Sequence, residues 1–254
     1  MNVLVIFAHP DDETMLCGGT LVLLHRQGVQ IHYLCATRGE GGEAGEPPLC
    51  SREQLGDFRA AELSCAVQAL GGGELEYMGY VDPTIGPDNT LYPFTDDRKK
   101  LRAEILQTVR RIQPVAVLTH GSNGEYGHPA HKLIHRSVVA VLKKLPDHRP
   151  PLYTFQAAFD DHPKPRIMNR DDPADLVLDI TPVLEEKTQA TLCHRTQHAL
   201  FVRHASQEAG RLMSVPEVVV KTESLRRLQP PSGTDPDRLL ELLLASGCVL
   251  RNSL

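Results

Sequence analysis

The sequence lacks several features that would indicate a membrane or a nucleic acid as a partner. No apolar run reaches the roughly 18 residues that a membrane-spanning helix needs. The start, Met1 to Phe7, has no basic residue ahead of its apolar ones, so it does not resemble a signal peptide. Basic residues form no long or aromatic-rich cluster, and the formal net charge is −5. We therefore expect a cytoplasmic protein with no membrane span and no nucleic-acid partner.

The sequence also lacks closely spaced cysteine pairs. The six cysteines follow no CxxC pattern and no regular spacing, and they stand at positions 17, 35, 50, 65, 193 and 248. Such a scatter fits reduced thiols better than a disulfide framework or a thiolate metal site. Any zinc site would then have to use histidine and carboxylate ligands.

Short apolar runs alternate with helical patterns, which is typical of βαβ units around a parallel sheet. In the first half the pattern predicts strands at 3–8, 29–36, 75–78 and 115–119, and helices at 16–25, 52–70, 96–112 and 128–144. Asp96 is the expected cap of the third helix. Beyond residue 150 the signal is weaker, with strands at 152–157 and 176–180 and helices at 183–200 and 239–244.

These elements predict an α/β fold, a Rossmann-like core with a parallel sheet and helices on both faces, followed by a less regular C-terminal portion. A chain of 254 residues is long enough for one large domain, and no stretch requires a second core. We expect residues 1–254 to form that domain. Residues 1–145 would supply the sheet core and the motifs, and residues 146–254 would shape the substrate pocket.

Two groups of polar residues follow predicted strands. His9, Asp11 and Asp12 come after the first strand, and His128 and His131 come after the fourth. The carboxyl ends of parallel strands meet at one edge of a sheet, where ligands bind, so both groups should lie close together. Adding one histidine of the second group to His9 and Asp12 gives a set of two histidines and one carboxylate. Catalytic zinc sites use such sets and leave a position open for water, and Asp11 would remain free as a base.

Simpler interpretations exist for each of these features. The stretch His9 to Asp12 alone could be a turn that caps a helix. His135, four residues after His131, could replace it as a ligand, and the spacing does not decide between them. The loop from Gly39 to Pro48 is either a mobile lid near the substrate or a solvated connection.

Three motifs together resemble one family. They are Ala8-His9-Pro10-Asp11-Asp12-Glu13 with Gly18-Gly19, then Thr37-Arg38-Gly39-Glu40-Gly41-Gly42, then Gly124-Glu125-Tyr126-Gly127-His128-Pro129-Ala130-His131. In this order they resemble the LmbE-like, or PIG-L, family of N-deacetylases. The helix from Arg52 to Gly71 is also similar to a helix of that family. The resemblance extends to about Leu145 and is weak afterwards.

The resemblance implies a site and a role for each of its residues. Zinc, or another divalent metal, would be held by His9, Asp12 and His131, with Asp11 as the general base. The other implied residues are His128, which stabilises or protonates the tetrahedral intermediate, Tyr126, which closes over the scissile amide, and the substrate-binding residues Arg59 and Asp82. Tyr126 as a packed loop aromatic and Arg59 as a solvated helix residue are the plain alternatives. The chain departs from the family at Ala130, where the family often has an acidic residue.

The predicted function is a zinc-dependent hydrolase that removes an N-acetyl group from an N-acetylglucosamine-containing small molecule. The products would be acetate and a free amino sugar. One alternative is hydrolysis of another amide or of a carbamoyl group at the same site. Another is a metal-containing sugar-binding protein without turnover, which the presence of Asp11 disfavours. Homo-oligomers are common in the family, so the resemblance includes one as a possibility.

Overall fold

The computed structural model describes residues 1–145, 149–229 and 237–254, and its first half alternates strands and helices. The bounds of these elements are β1 (Asn2–Phe7), α1 (Asp12–Arg26), β2 (Gln30–Thr37), α2 (Leu55–Ala69), β3 (Glu74–Tyr80), α3 (Arg98–Ile112), β4 (Ala116–Thr119) and α4 (Pro129–Leu142). All eight elements correspond to predicted ones, with bounds that differ by a few residues.

The second half continues with shorter elements. Their bounds are β5 (Leu152–Phe155), β6 (Ala157–Ala158), β7 (Asn169–Pro173), β8 (Leu176–Asp179), α5 (Leu184–Cys193), α6 (His198–Ala209), α7 (Val215–Val218), β9 (Thr222–Gln229), α8 (Arg238–Ala245) and β10 (Val249–Asn252). A 3-10 turn at Arg195–Gln197 separates α5 from α6.

One sheet of eight strands joins both halves of the described chain, in the order β10-β8-β9-β5-β4-β1-β2-β3. The strands from β5 to β3 are parallel, whereas β9 and β10 pair antiparallel to their neighbours. The chain order reverses between β1 and β4, which makes this position the topological switch point where open α/β sheets bind ligands. The predicted Rossmann-like α/β fold is confirmed.

The central strand β1 is buried on both faces because its residues from Val3 to Phe7 are all apolar. Val3, Val5 and Phe7 pack in a core with residues of α1, α2, α5 and α8. Leu4 and Ile6 pack in a second core with residues of α3 and α4. Burying each of these side chains contributes roughly 1.5–3 kcal/mol. The two cores fix the carboxyl end of β1 relative to the start of α4.

Three expectations for individual elements were wrong. The helix predicted at 183–200 ends at Cys193, and α6 begins at His198. The cap of α3 is Asp97 and not Asp96, because the Asp97 carboxylate accepts the Lys100 N–H at 2.9 Å. The strands β9 and β10 were not predicted. Strand β9 has charged residues in its middle, and the buried one, Glu223, is stabilised by contacts from distant parts of the chain.

The expectation that all six cysteines are reduced was also wrong. Cys65 on α2 and Cys193 at the end of α5 form a disulfide, with Cα atoms 5.7 Å apart. The two residues are separated by 128 positions, so no local spacing indicates the pair. None of the helices in the described residues is both long and apolar enough to cross a membrane.

Candidate metal centre and active site

The candidate site begins in the short connection between β1 and α1. Asp11 adopts a positive φ of 115°, a conformation that non-glycine residues rarely adopt and that clusters at functional sites. The turn allows the His9 N–H to donate to the Asp12 carboxylate at 2.8 Å. Glu13, which was expected only to support the turn or the helix start, accepts the Asp11 N–H at 3.0 Å and is fully buried. The turn is therefore stabilised by two backbone N–H groups that donate to two carboxylates.

Donor atoms of three side chains, His9, Asp12 and His131, converge at the carboxyl end of β1. His9 Nδ1 lies 3.4 Å from an Asp12 carboxylate oxygen, and His131 Nε2 lies 3.3 Å from both the other Asp12 oxygen and His9 Nδ1. A tetrahedral zinc ion with bonds of about 2.0–2.2 Å keeps its ligand atoms about 3.3–3.6 Å apart. The residues present therefore fit a zinc ion, and all three side chains are buried.

A buried carboxylate contacts the donor set through the ring nitrogen of His131 that does not face His9 and Asp12. Glu125 Oε2 lies 2.6 Å from His131 Nδ1 and 3.1 Å from His120 Nδ1. Because the Ala8 N–H donates to His120 Nε2 at 3.1 Å, the His120 proton belongs on Nδ1, where it faces Glu125. Glu125 likewise orients His131 with its Nε2 lone pair toward His9 and Asp12. Carboxylate–histidine–metal arrangements have this form.

Sequence reasoning missed His120, Glu125 and the residue that fixes Glu125. The Asn169 amide donates to Glu125 Oε1 at 3.1 Å, and its carbonyl oxygen accepts the Glu125 N–H at 3.0 Å. His120 could have been found, because it directly follows β4 as His9 follows β1. Asn169 lies in the weakly readable C-terminal portion, where no pattern pointed to it.

Asp11 lies beside the donor set and contacts the guanidinium of Arg59. Arg59 donates to Asp11 Oδ2 at 3.1 Å, to the Gly39 carbonyl at 2.9 Å and to the Pro10 carbonyl. Burial raises the pKa of Asp11 to about 7, although the Arg59 charge opposes that shift. Arg59 itself is buried at 3% exposure, so it is not a solvated helix residue. The contact with Gly39 also ties the start of the Gly39 to Pro48 loop to the site.

His128 and Tyr126 lie beside the histidines of the donor set. The His128 ring lies 4.7 Å from the His9 ring and 4.5 Å from the His131 ring. Its Nδ1 accepts the Ala130 N–H, so a neutral His128 carries its proton on Nε2. Burial and the neighbouring His131 and His9 rings together lower the pKa of His128 to about 2. Tyr126 is 57% exposed and lies 5.6 Å, ring to ring, from His128.

Asp82 also reaches the site, whereas His135 does not join the donor set. Asp82 Oδ1 lies 3.3 Å from His9 Nε2, although the pair lacks hydrogen-bond alignment. Burial opposes ionisation of Asp82, but the His9 contact holds the Asp82 pKa below its usual value. His135 Nδ1 faces the His120 carbonyl oxygen at 2.9 Å instead. Of the two histidines that spacing left open, the geometry brings His131 to His9 and Asp12.

The fold and this site define an α/β protein of the metal-dependent deacetylase class. A model of the PIG-L family, described as GlcNAc-PI de-N-acetylase, matches residues 4–142, which is more than half of the chain. The chain belongs to the PIG-L family. The resemblance seen in three sequence motifs is thereby confirmed.

Relatives of the chain carry related activities. It is 29% identical to a probable N-acetyl-α-D-glucosaminyl L-malate deacetylase of Bacillus anthracis, over 82% of this chain and 86% of that one. It is 30% identical to the 1D-myo-inositol 2-acetamido-2-deoxy-α-D-glucopyranoside deacetylase of Rhodococcus jostii, over 77% and 81%. The fold is shared with GalB, the 4-carboxy-2-hydroxymuconate hydratase of Pseudomonas putida KT2440, at a TM-score of 0.61, 22% identity and 92% and 99% coverage. Both sequence relatives are named deacetylases, which agrees with the enzyme class predicted from the sequence.

Proposed function

We propose that the protein is a zinc-dependent hydrolase that removes the N-acetyl group from an N-acetylglucosamine-containing small molecule. The products are acetate and a free amino sugar. The observation that carries the proposal is a carboxylate outside the donor set, Asp11, next to the converging atoms of His9, Asp12 and His131. The substrate class follows from the two relatives, which are named as deacetylases of N-acetylglucosamine-type conjugates.

The proposed metal ligands are His9 through Nδ1, Asp12 through its carboxylate and His131 through Nε2. When bound, zinc supplies Lewis-acid chemistry, because it polarises a carbonyl group and makes water acidic enough to attack near neutral pH. Nitrogen donors favour zinc or another transition metal over calcium and magnesium, which prefer oxygen ligands. Metal analysis of the purified protein distinguishes zinc from the other transition metals.

Asp11 is the proposed general base. It is not one of the three converging donors. It lies on the same turn, between His9 and Asp12 in the sequence. Its raised pKa suits a group that takes a proton from water and can return it to a departing amine. The strained backbone at Asp11 and the Arg59 contact hold the carboxylate in one orientation. Such positioning is a large part of the catalytic advantage of an enzyme-bound base.

His128 and Tyr126 are the proposed groups that face the developing oxyanion. A neutral His128 with its proton on Nε2 is a hydrogen-bond donor, and the tyrosine hydroxyl is a second one. Donors placed where negative charge develops stabilise the transition state. Ala130 leaves His128 without the carboxylate partner common in the family, so we propose that His128 acts here as a donor in its neutral form.

Arg59 and Asp82 are the proposed substrate-binding residues. Asp82 is suited to this role because its carboxylate is partly accessible and could accept a sugar hydroxyl beside His9. Arg59 has its guanidinium engaged by protein oxygen atoms, which favours a role in positioning Asp11. Its assignment as a substrate-binding residue stays a prediction, which the kinetics of Arg59→Lys test.

We further propose that residues 1–254 act as one domain whose C-terminal portion shapes the pocket. Several of its side chains reach the motifs of the first half. His194 Nε2 lies 3.0 Å from Glu13 Oε1, Asn169 bonds to Glu125, and the Gln197 amide donates to the Glu43 carbonyl at 2.8 Å. Cytoplasmic location and a homo-oligomer stay predictions, and native mass measurement tests the second.

The proposal is tested by measuring acetate release from a panel of N-acetylglucosamine conjugates with zinc-loaded protein. Asp11→Asn removes the base but preserves the size of the side chain, so it should bind zinc and release acetate at least about 100-fold more slowly. Asp88→Asn, at an exposed aspartate, is the matched control and should behave as the wild type.

Two results would overturn the proposal. One is the absence of acetate from every conjugate, and the other is an Asp11→Asn variant with wild-type turnover. Product analysis by mass spectrometry separates deacetylation from decarbamoylation, from cleavage of another amide and from hydration. Binding of a conjugate without any product would favour the metal-containing sugar-binding alternative.

A further inference from the structure

A cavity lies between the N-terminal halves of α3 and α4, beside the loop that carries His128. It has a volume of about 260 Å³, and four basic side chains line it: Arg98 and Arg102 from α3, and Lys132 and Arg136 from α4. Gly127 and Pro129, which flank His128, form the wall nearest the active site. We call this space the cationic cavity.

The basic side chains of the cationic cavity are not neutralised by the protein. Among residues 1–145, 149–229 and 237–254, none of the four has a carboxylate oxygen within 4.0 Å, whereas Lys100 and Arg111 on α3 pair with Glu104 and Glu76. Asp96 lines the cavity but is exposed and forms no ion pair with them. Four cations around one small space repel each other, and a bound anion would remove that repulsion.

Buried polar atoms without partners also indicate that an anion binds here. Ser137 lines the cationic cavity and is fully buried, and its hydroxyl has no hydrogen-bond partner in the part of the chain that the structure describes. Among the same residues, buried Arg102 Nε has no partner either. Buried polar atoms are rarely left unsatisfied, and each one costs free energy unless a water or a ligand bonds to it. Arg102 Nε can only donate a hydrogen bond and the Ser137 hydroxyl can donate one, so an acceptor ligand would satisfy both.

The direction of the two helices adds to the positive potential. Arg98 is the first residue of α3 and Pro129 is the first residue of α4, and both line the cavity. The two helices therefore present their positive ends here, where anions are stabilised. Arginine side chains bind phosphate through two parallel hydrogen bonds, which makes phosphate a better match than a halide.

We propose that the cationic cavity is a binding site for an oxyanion of the phosphate or carboxylate class. The site does not depend on the proposed deacetylase activity, because it uses none of the residues assigned to that activity. Its wall is shared with the His128 loop, so the anion comes either from the charged part of the substrate or from a separate small ligand.

Isothermal titration of zinc-loaded protein with inorganic phosphate tests the site. The variant Arg102→Gln/Arg136→Gln should bind phosphate about tenfold more weakly or not at all. The control Lys99→Gln/Arg110→Gln removes two positive charges from exposed positions of α3 outside the cavity and should bind phosphate as the wild type does. Arg136→Gln alone changes an exposed side chain and should weaken binding in the same direction even if the double variant does not fold.

No phosphate binding by the wild type, or equal binding by the cavity variant and the control, would overturn the proposal. Competition then identifies the source of the anion. With Asp11→Asn protein, a conjugate that carries a phosphate or carboxylate displaces phosphate if the anion belongs to the substrate, and it binds alongside phosphate if the anion is a separate ligand. The titration needs no turnover, so its failure and the failure of the proposed deacetylation are distinguishable.

Discussion

At the scale of single residues, Glu125 is the carboxylate on which the proposed metal centre depends. It accepts hydrogen bonds from both His131 and His120, and it carries its charge while fully surrounded by protein. The His120 and His131 contacts hold its pKa far below the usual value, against the effect of burial. Ligand orientation and ligand basicity therefore both come from one side chain.

Replacing Glu125 with glutamine should lower the zinc affinity by about 10- to 100-fold, the usual effect of losing such a partner. The amide has a similar shape but no charge, and its NH2 group cannot accept the proton of a histidine. Competition with a chromogenic chelator measures the affinity. Glu208→Gln, at an exposed position, is the control. Unchanged zinc affinity in a folded Glu125→Gln protein would contradict this role.

Arg59 allows a kinetic test of its two possible roles. Arg59→Lys keeps the positive charge but cannot bond to Asp11, Pro10 and Gly39 at once. If Arg59 positions Asp11, kcat should fall about 100-fold with little change in KM, since a small misplacement of a catalytic group has this effect. A rise in KM with kcat unchanged would instead assign Arg59 to the substrate. Arg38→Lys, at an exposed position, is the matched control.

The sequence predicted His9, Asp12 and His131 because they belong to connections that follow parallel strands, and parallel topology brings those connections to one edge of the sheet regardless of their separation. His9 and His131 are 122 positions apart and meet for this reason. It could not predict Asn169, whose contact with Glu125 depends on the path of the C-terminal portion. Spacing alone could not choose His131 over His135, because that choice depends on how α4 is rotated about its axis; the family resemblance made the choice.

At the scale of elements, helix α1 is interrupted, and a distant strand stabilises the interruption. Cys17 has non-helical dihedral angles, which leave the N–H groups of Gly19 and Thr20 without helical partners. Glu223 on β9 accepts both, at 2.8 and 2.7 Å, and pairs with Lys187 on α5 at 2.6 Å. Glu223 thus acts as a cap for the second part of α1, supplied from another strand. Because this buried residue is charged, the sequence pattern did not predict β9 as a buried strand.

Glu223→Gln should destabilise the fold by about 3–5 kcal/mol, because it leaves Lys187 as an uncompensated buried charge. Urea unfolding followed by circular dichroism measures the loss. Adding Lys187→Met should recover part of it, since the unpaired charge is then absent. Glu241→Gln, on the exposed side of α8, is the control. A loss no larger than that of the control would show that Glu223 does not hold α1 together.

The disulfide between α2 and α5 is the second link between distant elements. Replacing Cys65 and Cys193 with serine should lower the stability by about 2–4 kcal/mol, because the cross-link closes a long loop of the unfolded chain. The oxidised wild type should titrate four thiols after denaturation, against six after reduction. Cys50→Ser, at a free cysteine, is the control for stability. Six thiols without a reductant would contradict the pairing.

At the scale of the whole molecule, the site lies where separately stabilised parts meet. His9 and Asp12 belong to the β1–α1 turn, His131 belongs to α4, and Asn169 belongs to β7, which forms a separate two-stranded sheet with β6. Two apolar cores on opposite faces of the sheet hold these parts without help from a metal. We therefore expect the sheet to present the three proposed donors before an ion binds, in contrast to small zinc domains that fold only with their metal.

Removing the metal should accordingly lower the melting temperature without unfolding the chain. Free zinc at 100 times its dissociation constant stabilises the folded state by about 2.7 kcal/mol. For a domain of this size, each 1 kcal/mol corresponds to about 2–4 °C, so chelation should lower the melting temperature by about 5–11 °C. Circular dichroism at 25 °C should be unchanged. His131→Ala should abolish the zinc-dependent shift, whereas the exposed His204→Ala should retain it. Loss of the native spectrum on chelation would mean that the metal, and not the sheet, organises the site.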